Sequence, residues 1–187
     1  IDGLFADALA AVAGDYDLVV VDTPPTRPLL LRLALGGTRW IVVPTRPGRT
    51  SIEGLRALAV DMAAARQANP RLELLGALLY DVETGARVIR RNAIEDITKV
   101  LGGAAPVFET VIRHALAPVC EAEEKGRLIH EIADEVDSIE PYWKALQEGR
   151  KPTRVAGSAP ALAEDFALLT HEILLAIDAR ERMEALA

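Results

Sequence analysis

Apolar residues fall along this chain in two rhythms. In the first they follow one another with little interruption: Leu18–Val21, then "RWIVVP" at 39–44, "LELLGALLY" at 72–80 and "PVFETVI" at 106–112. Runs of this length suit strands, and continuous rather than alternating runs suit a sheet covered on both faces. In the second rhythm apolar residues recur every three or four positions. Residues 2–13 carry Leu4, Phe5, Leu9 and Val12 in this way, and Gly14 stops the pattern. "TSIEGLRALAVDMAAARQA" (50–68) starts on Thr50 with Glu53 three residues later, the pattern of a capping box. Residues 86–101 place Ala86, Ile89, Ala93, Ile97 and Val100 on an inward face. Residues 161–186 form a long amphipathic helix with Leu162, Phe166, Leu169, Ile173 and Ile177 together. Strands alternating with helices predict an α/β fold with a mainly parallel sheet.

Past residue 130 the rhythm weakens. "HEIADEVDSIEPYWKALQEG" is charged and predicted helical, with a break at Pro141, and 149–161 is a linker by composition. No repeat or low-complexity tract is present.

Composition narrows the picture slightly. At 187 residues, half of them hydrophobic, the chain suits one domain with a core of its own. The single cysteine, Cys120, excludes an intrachain disulfide and is expected to be a small buried apolar side chain in a reducing interior. No apolar run approaches the roughly 20 residues that span a bilayer. The net charge of −7 argues against a globally basic nucleic-acid binder but leaves room for a local patch. Arg87, Arg90 and Arg91 make such a patch. At 3.6 residues per turn they fall within an arc of about 100°, with Arg71 and Lys99 nearby. A solvated helix face is the plain alternative. His114, His130 and His171 are too dispersed for a metal site.

The stretch "YDLVVVDTPPTRP" (16–28) ends an apolar run on Asp22 and follows it with Thr23, Pro24, Pro25 and Thr26. In open α/β sheets ligands bind beyond the carboxyl ends of strands. A carboxylate there can hold Mg²⁺ through water while the metal bridges nucleotide phosphates. The prolines stiffen the loop, and a stiff loop beside a γ-phosphate can act as a switch. From the apolar run and Asp22 alone, an aspartate capping the following turn is the leading reading.

The double proline adds a resemblance. "YDLVVVDTPP" resembles the Walker B and switch II segment of the ParA/MinD family of deviant-Walker P-loop ATPases. In order along the chain, "RWIVVPTRPGRTSIEGL" (39–55) resembles the family's strand, Pro-containing loop and helix. "NPRLELLGALLYDVETGARV" (69–88) resembles its next strand and Tyr-Asp pair. "FETVIRHALAPVCEAEEKGRLI" (108–129) is similar to its last strand and the loop carrying Glu121, Ala122, Gly126 and Arg127. The likeness covers roughly residues 1–130 and 161–177.

The resemblance implies a doubly wound, P-loop NTPase-like α/β domain over residues 1–187, with helices on both faces and C-terminal helices. The family's Gly-rich loop with Lys is not in this chain, and that N-terminal segment is expected to lie outside it. "ALLYD" lacks the polar residue usual before the Tyr-Asp pair, and 137–160 is an insertion or linker of unassigned role. The resemblance further implies ATP and Mg²⁺ as cofactors, with Asp22 as the catalytic metal-ordering carboxylate and Thr23–Thr26 as the switch loop. Tyr80, Asp81, Ile112 and Arg113 become the adenine wall, and Arg87, Arg90 and Arg91 the grip on non-specific DNA. A partition ATPase of this kind forms an ATP-dependent homodimer, answers a ParB-like stimulator, and is cytoplasmic and nucleoid-associated without a membrane. A MinD-like positioning ATPase is the alternative within the family, although "AIDARERMEALA" lacks the lysine-rich amphipathic character of a membrane anchor. A non-catalytic interaction module that lost its nucleotide chemistry is the alternative outside it.

Overall fold

The computed structural model describes residues 2–24, 27–138, 140, 142–149, 151 and 156–186. Pro25, Thr26 and the expected break at Pro141 lie outside the described residues. In chain order the elements are α1 (Asp2–Ala13), α2 (Pro28–Gly37), β1 (Trp40–Thr45), α3 (Arg49–Ala65) and β2 (Glu73–Val82). Then follow α4 (Arg87–Leu101), β3 (Val107–Arg113), α5 (Leu116–Lys125), α6 (Ile129–Ser138), α7 (Tyr142–Gln147) and α8 (Ala159–Ala185). The strands form one sheet in the order β1-β2-β3. Its direction can be read from the bonds: Ala77 N–H donates to Pro106 and His114 N–H to Val82, so the paired positions rise together and the strands run parallel. Helices flank the sheet on both sides, an α/β fold consistent with the P-loop NTPase class.

By internal packing the chain divides into two compact units, and β2, α4 and β3 each contribute to both. The first unit comprises residues 1–78 and 92–107. Here α1 packs on α2, and α2 on α3. Gly37 ends α2 where a Cβ would come within 2.7 Å of the Phe5 ring, so only hydrogen fits between these helices. Asn69 ties the unit together, its Nδ2 donating to the carbonyls of Leu35 at 2.9 Å and Thr38 at 2.6 Å. Leu72, Leu75 and Ile97 are fully buried in this unit.

The second unit comprises residues 79–91 and 108–187. Its core joins Ala122 of α5, Ile132 and Ala133 of α6, and Ala159 of α8. Gly126, in the left-handed region at φ 61°, caps α5 and turns the chain toward α6. Lys125 (2.7 Å) and Arg127 both reach Glu135, clamping that turn.

Several expectations need correcting. Leu18–Val21 is not a strand. Residues 16–24 join no ladder, and Val20 is 83% exposed. An extended run becomes a strand only where a neighbour takes its backbone hydrogen bonds, and the sheet of β1, β2 and β3 supplies none here. The capping box at Thr50 is absent. The helix begins one residue earlier with Gly48 as N-cap and no side-chain cap, while Glu53 pairs with Arg49 at 3.2 Å instead. Glu121 and Ala122, expected in a loop, lie on α5, where helix-favouring residues continue until Gly126. Helix α2 went unread, although Pro28 at its first turn and Gly36-Gly37 at its end are ordinary boundary signals. Cys120 is exposed rather than buried.

Candidate functional site

Beyond the sheet, the carboxyl ends of β2 and β3 bring four of the expected site residues together. Tyr80 and Asp81 directly precede Val82, the last residue of β2, and Ile112 and Arg113 end β3, the neighbouring strand. The pairing is closed by the His114 N–H bond to Val82 at 2.9 Å. Asp81 sits at φ 61°, a left-handed conformation that aspartate tolerates better than most residues. Its carboxylate lies 2.6 Å from His114 Nδ1.

The four residues differ in what they can offer a ligand. Ile112 is buried, so its side chain belongs to the core. Arg113 is engaged by Asp165 of α8 through a two-point ion pair, Nε to Oδ2 and a terminal N–H to Oδ1, both at 2.6 Å. The backbone N–H of Arg113 also donates to Oδ2 at 3.0 Å. The bond to Asp165 holds the guanidinium pKa above its ordinary value, against a smaller opposing effect of burial. Tyr80, Asp81 and Arg113 are half-buried. The sequence reading missed Asp165, and considered His114 only as a metal ligand. The spacing puts Asp165 on the face of Leu162 and Leu169, where the structure leaves only 7% of it exposed, but spacing alone does not name Arg113 as its partner. Phe166, expected on that face, is turned out at 45% exposure, because Asp165 takes the inward position facing Arg113.

Asp22 lies in the first unit, exposed, in the irregular segment after α1. A carboxylate oxygen is the donor Mg²⁺ prefers, and one carboxylate with water and phosphate oxygens is its common setting. Among the described residues no group of three or more acidic, His or Cys side chains can hold an ion by itself. Asp22 supplies one such carboxylate. Of the switch loop, only Thr23 and Pro24 are described.

Arg87, Arg90 and Arg91 are all exposed on the first turns of α4. Arg90 is partly committed, since its guanidinium donates to the Glu109 carbonyl at 3.1 Å. Ile89, expected on the inward face, is 56% exposed, while Ala93 and Ile97 are buried as expected. The first turn of α4 thus stands clear of the core, and its basic residues share it with apolar ones.

Comparison with known proteins bears on these features. A family model for an AAA domain matches residues 2–74. The chain is 31% identical over 136 residues to the "Chromosome-partitioning ATPase Soj" of Thermus thermophilus, covering 71% of this chain and 52% of that protein. It is 27% identical over 128 residues to the "Chromosome partitioning protein ParA" of Myxococcus xanthus, covering 67% of this chain and 44% of that protein. The chain belongs to the ParA/MinD-type partition ATPase family. It spans about half the length of the two relatives it matches. The AAA-domain match ends within β2, so Tyr80, Asp81, Ile112 and Arg113 of this ParA-type chain fall outside it. No helix among the described residues is long and apolar enough to cross a membrane.

Proposed function

We propose that this ParA-type chain acts in an ATP- and Mg²⁺-dependent partition cycle, in which nucleotide joins two protomers and the dimer holds non-specific DNA. The observation that carries this reading is its similarity to ParA and Soj over 67% and 71% of the chain. The family's nucleotide supplies the phosphates and the metal bound to them. Within that cycle Asp22 orders Mg²⁺ through its exposed carboxylate. Thr23–Thr26 sense the γ-phosphate. Tyr80, Asp81, Ile112 and Arg113 border the base. Arg87, Arg90 and Arg91 meet DNA phosphates, Arg90 by leaving the Glu109 carbonyl. A ParB-like partner stimulates turnover and release.

Two measurements test this. In the full-length protein, Asp22→Ala should leave the circular dichroism spectrum intact and lower Mg²⁺-dependent ATP turnover at least about a hundredfold, because metal charge compensation is central to phosphoryl transfer. Unchanged turnover would return Asp22 to a turn-capping role. Residues 1–187 hold no Gly-rich loop with Lys. On their own they should bind Mg-ATP at about millimolar or weaker, since backbone N–H groups and a lysine around the phosphates supply most of such affinity. Micromolar binding in calorimetric titration would mean that a phosphate site lies elsewhere in these residues.

A further inference from the structure

Strand β3 closes one side of the sheet, with β2 its strand neighbour. Because His114 N–H points to β2, strand alternation sends the N–H groups of Val111 and Arg113 to the outer side, and the alternation breaks at Thr110, whose N–H joins that of Glu109 on the outer side. Such an edge is a template for another strand. Its sequence strengthens the hazard: "VFETVI" is β-branched and aromatic, with one charge and no proline. In this protein α8 meets that edge with carboxylates instead. Glu172 Oε1 accepts the Glu109 N–H at 2.6 Å and Oε2 the Thr110 N–H at 3.0 Å. Two turns earlier, Asp165 accepts the Arg113 N–H at 3.0 Å. Arg90 of α4 donates to the Glu109 carbonyl at 3.1 Å. Outward donors at both ends of the strand and an outward acceptor are thereby occupied by side chains.

We propose that α8 is a clasp that masks the β3 edge, and that the surface beneath it pairs with β3 of a second copy when the clasp is loosened. The edge is self-complementary. Antiparallel pairing about Thr110 sets Phe108 opposite Ile112 of the copy, and it sets Glu109 diagonal to Arg113 of the copy, an attractive pair. Residues seven apart on one helix face hold the clasp closed, so one substitution opens half of it.

Glu172→Gln keeps the side chain's shape but replaces one acceptor oxygen by an NH₂ donor, so at most one of its two bonds survives. The expected result is exchange of the Glu109 amide hydrogen about tenfold faster than in the unaltered chain. A concentration-dependent dimer, measured by light scattering, should accompany it. Adding Val111→Pro, which removes an outward N–H from the edge, should abolish that dimer. A dimer that survives Val111→Pro overturns the proposal, as does Glu172→Gln with unchanged exchange and mass. A measurement on the unaltered chain guards against a misfolded variant. Its Glu109 and Arg113 amides must exchange as slowly as those of inner strand positions, and exchange at the rate of open edge amides also overturns the clasp.

Discussion

Asp165 shows how one side chain can decide a local arrangement. It stands on the buried face of α8 and holds Arg113 at three points, two on the guanidinium and one on the backbone. Removing it leaves the half-buried Arg113 guanidinium without that carboxylate. Asp165→Ala should therefore cost about 2 to 3 kcal/mol, less than breaking a fully buried pair, because Arg113 remains partly in water. The urea midpoint measures this. The Arg113 pKa is raised, so its contribution is complete at neutral pH and is lost only as pH climbs through the alkaline range. Glu121 behaves in the opposite sense. Lys125 first, and the Ala156 N–H second, hold its pKa below the ordinary carboxylate range. Its contribution is present above that range and is lost as pH falls through the lowered value. The protection factor of the Ala156 amide, whose N lies 2.7 Å from the Glu121 carboxylate, should fall on acidification, while mild alkali leaves it unchanged.

At the scale of elements, the α1–α2 contact depends on Gly37. A methyl there meets the Phe5 ring at 2.7 Å, well inside contact distance. Gly37→Ala should destabilise the first unit by about 1 to 2 kcal/mol, overpacking outweighing the few tenths gained from a stiffer unfolded chain. A lower thermal midpoint checks it. Elements whose signal is internal were legible in the sequence. Helix α1 and strands β1, β2 and β3 fall within two residues of their expected bounds, and Ala93 and Ile97 point inward as their spacing requires. Features that depend on a distant partner were not legible. Leu18–Val21 has strand composition without a neighbour to pair with, and Phe166 lost its inward place to a carboxylate facing Arg113. Of the candidate site, the juxtaposition of Tyr80 and Asp81 with Ile112 and Arg113 was expected from the resemblance. The engagement of Arg113 by Asp165 and of Asp81 by His114 was not, because pairs 52 and 33 residues apart leave no trace in local pattern.

For the molecule as a whole, an arginine patch on a chain of net charge −7 must act locally. Changing Arg87, Arg90 and Arg91 together to Glu should abolish non-specific DNA retention in a gel shift. For the unaltered protein, three phosphate contacts predict a log affinity that falls with log salt at a slope of about −3. Arg90→Ala alone should weaken DNA less than Arg87→Ala, since Arg90 already serves the Glu109 carbonyl. The parallel sheet carries a consequence of a different kind, in time rather than in affinity. Its bonds join Glu73 to Arg39, Ala77 to Pro106 and His114 to Val82, partners about thirty residues apart, so each strand waits for a whole helical crossover before it finds its neighbour. Helices close their turns within microseconds or less, whereas these pairings must first close large loops. On dilution from denaturant, far-ultraviolet ellipticity should thus recover ahead of amide protection in β2 and β3, and the chain should pass through an interval in which it is helical but has no sheet.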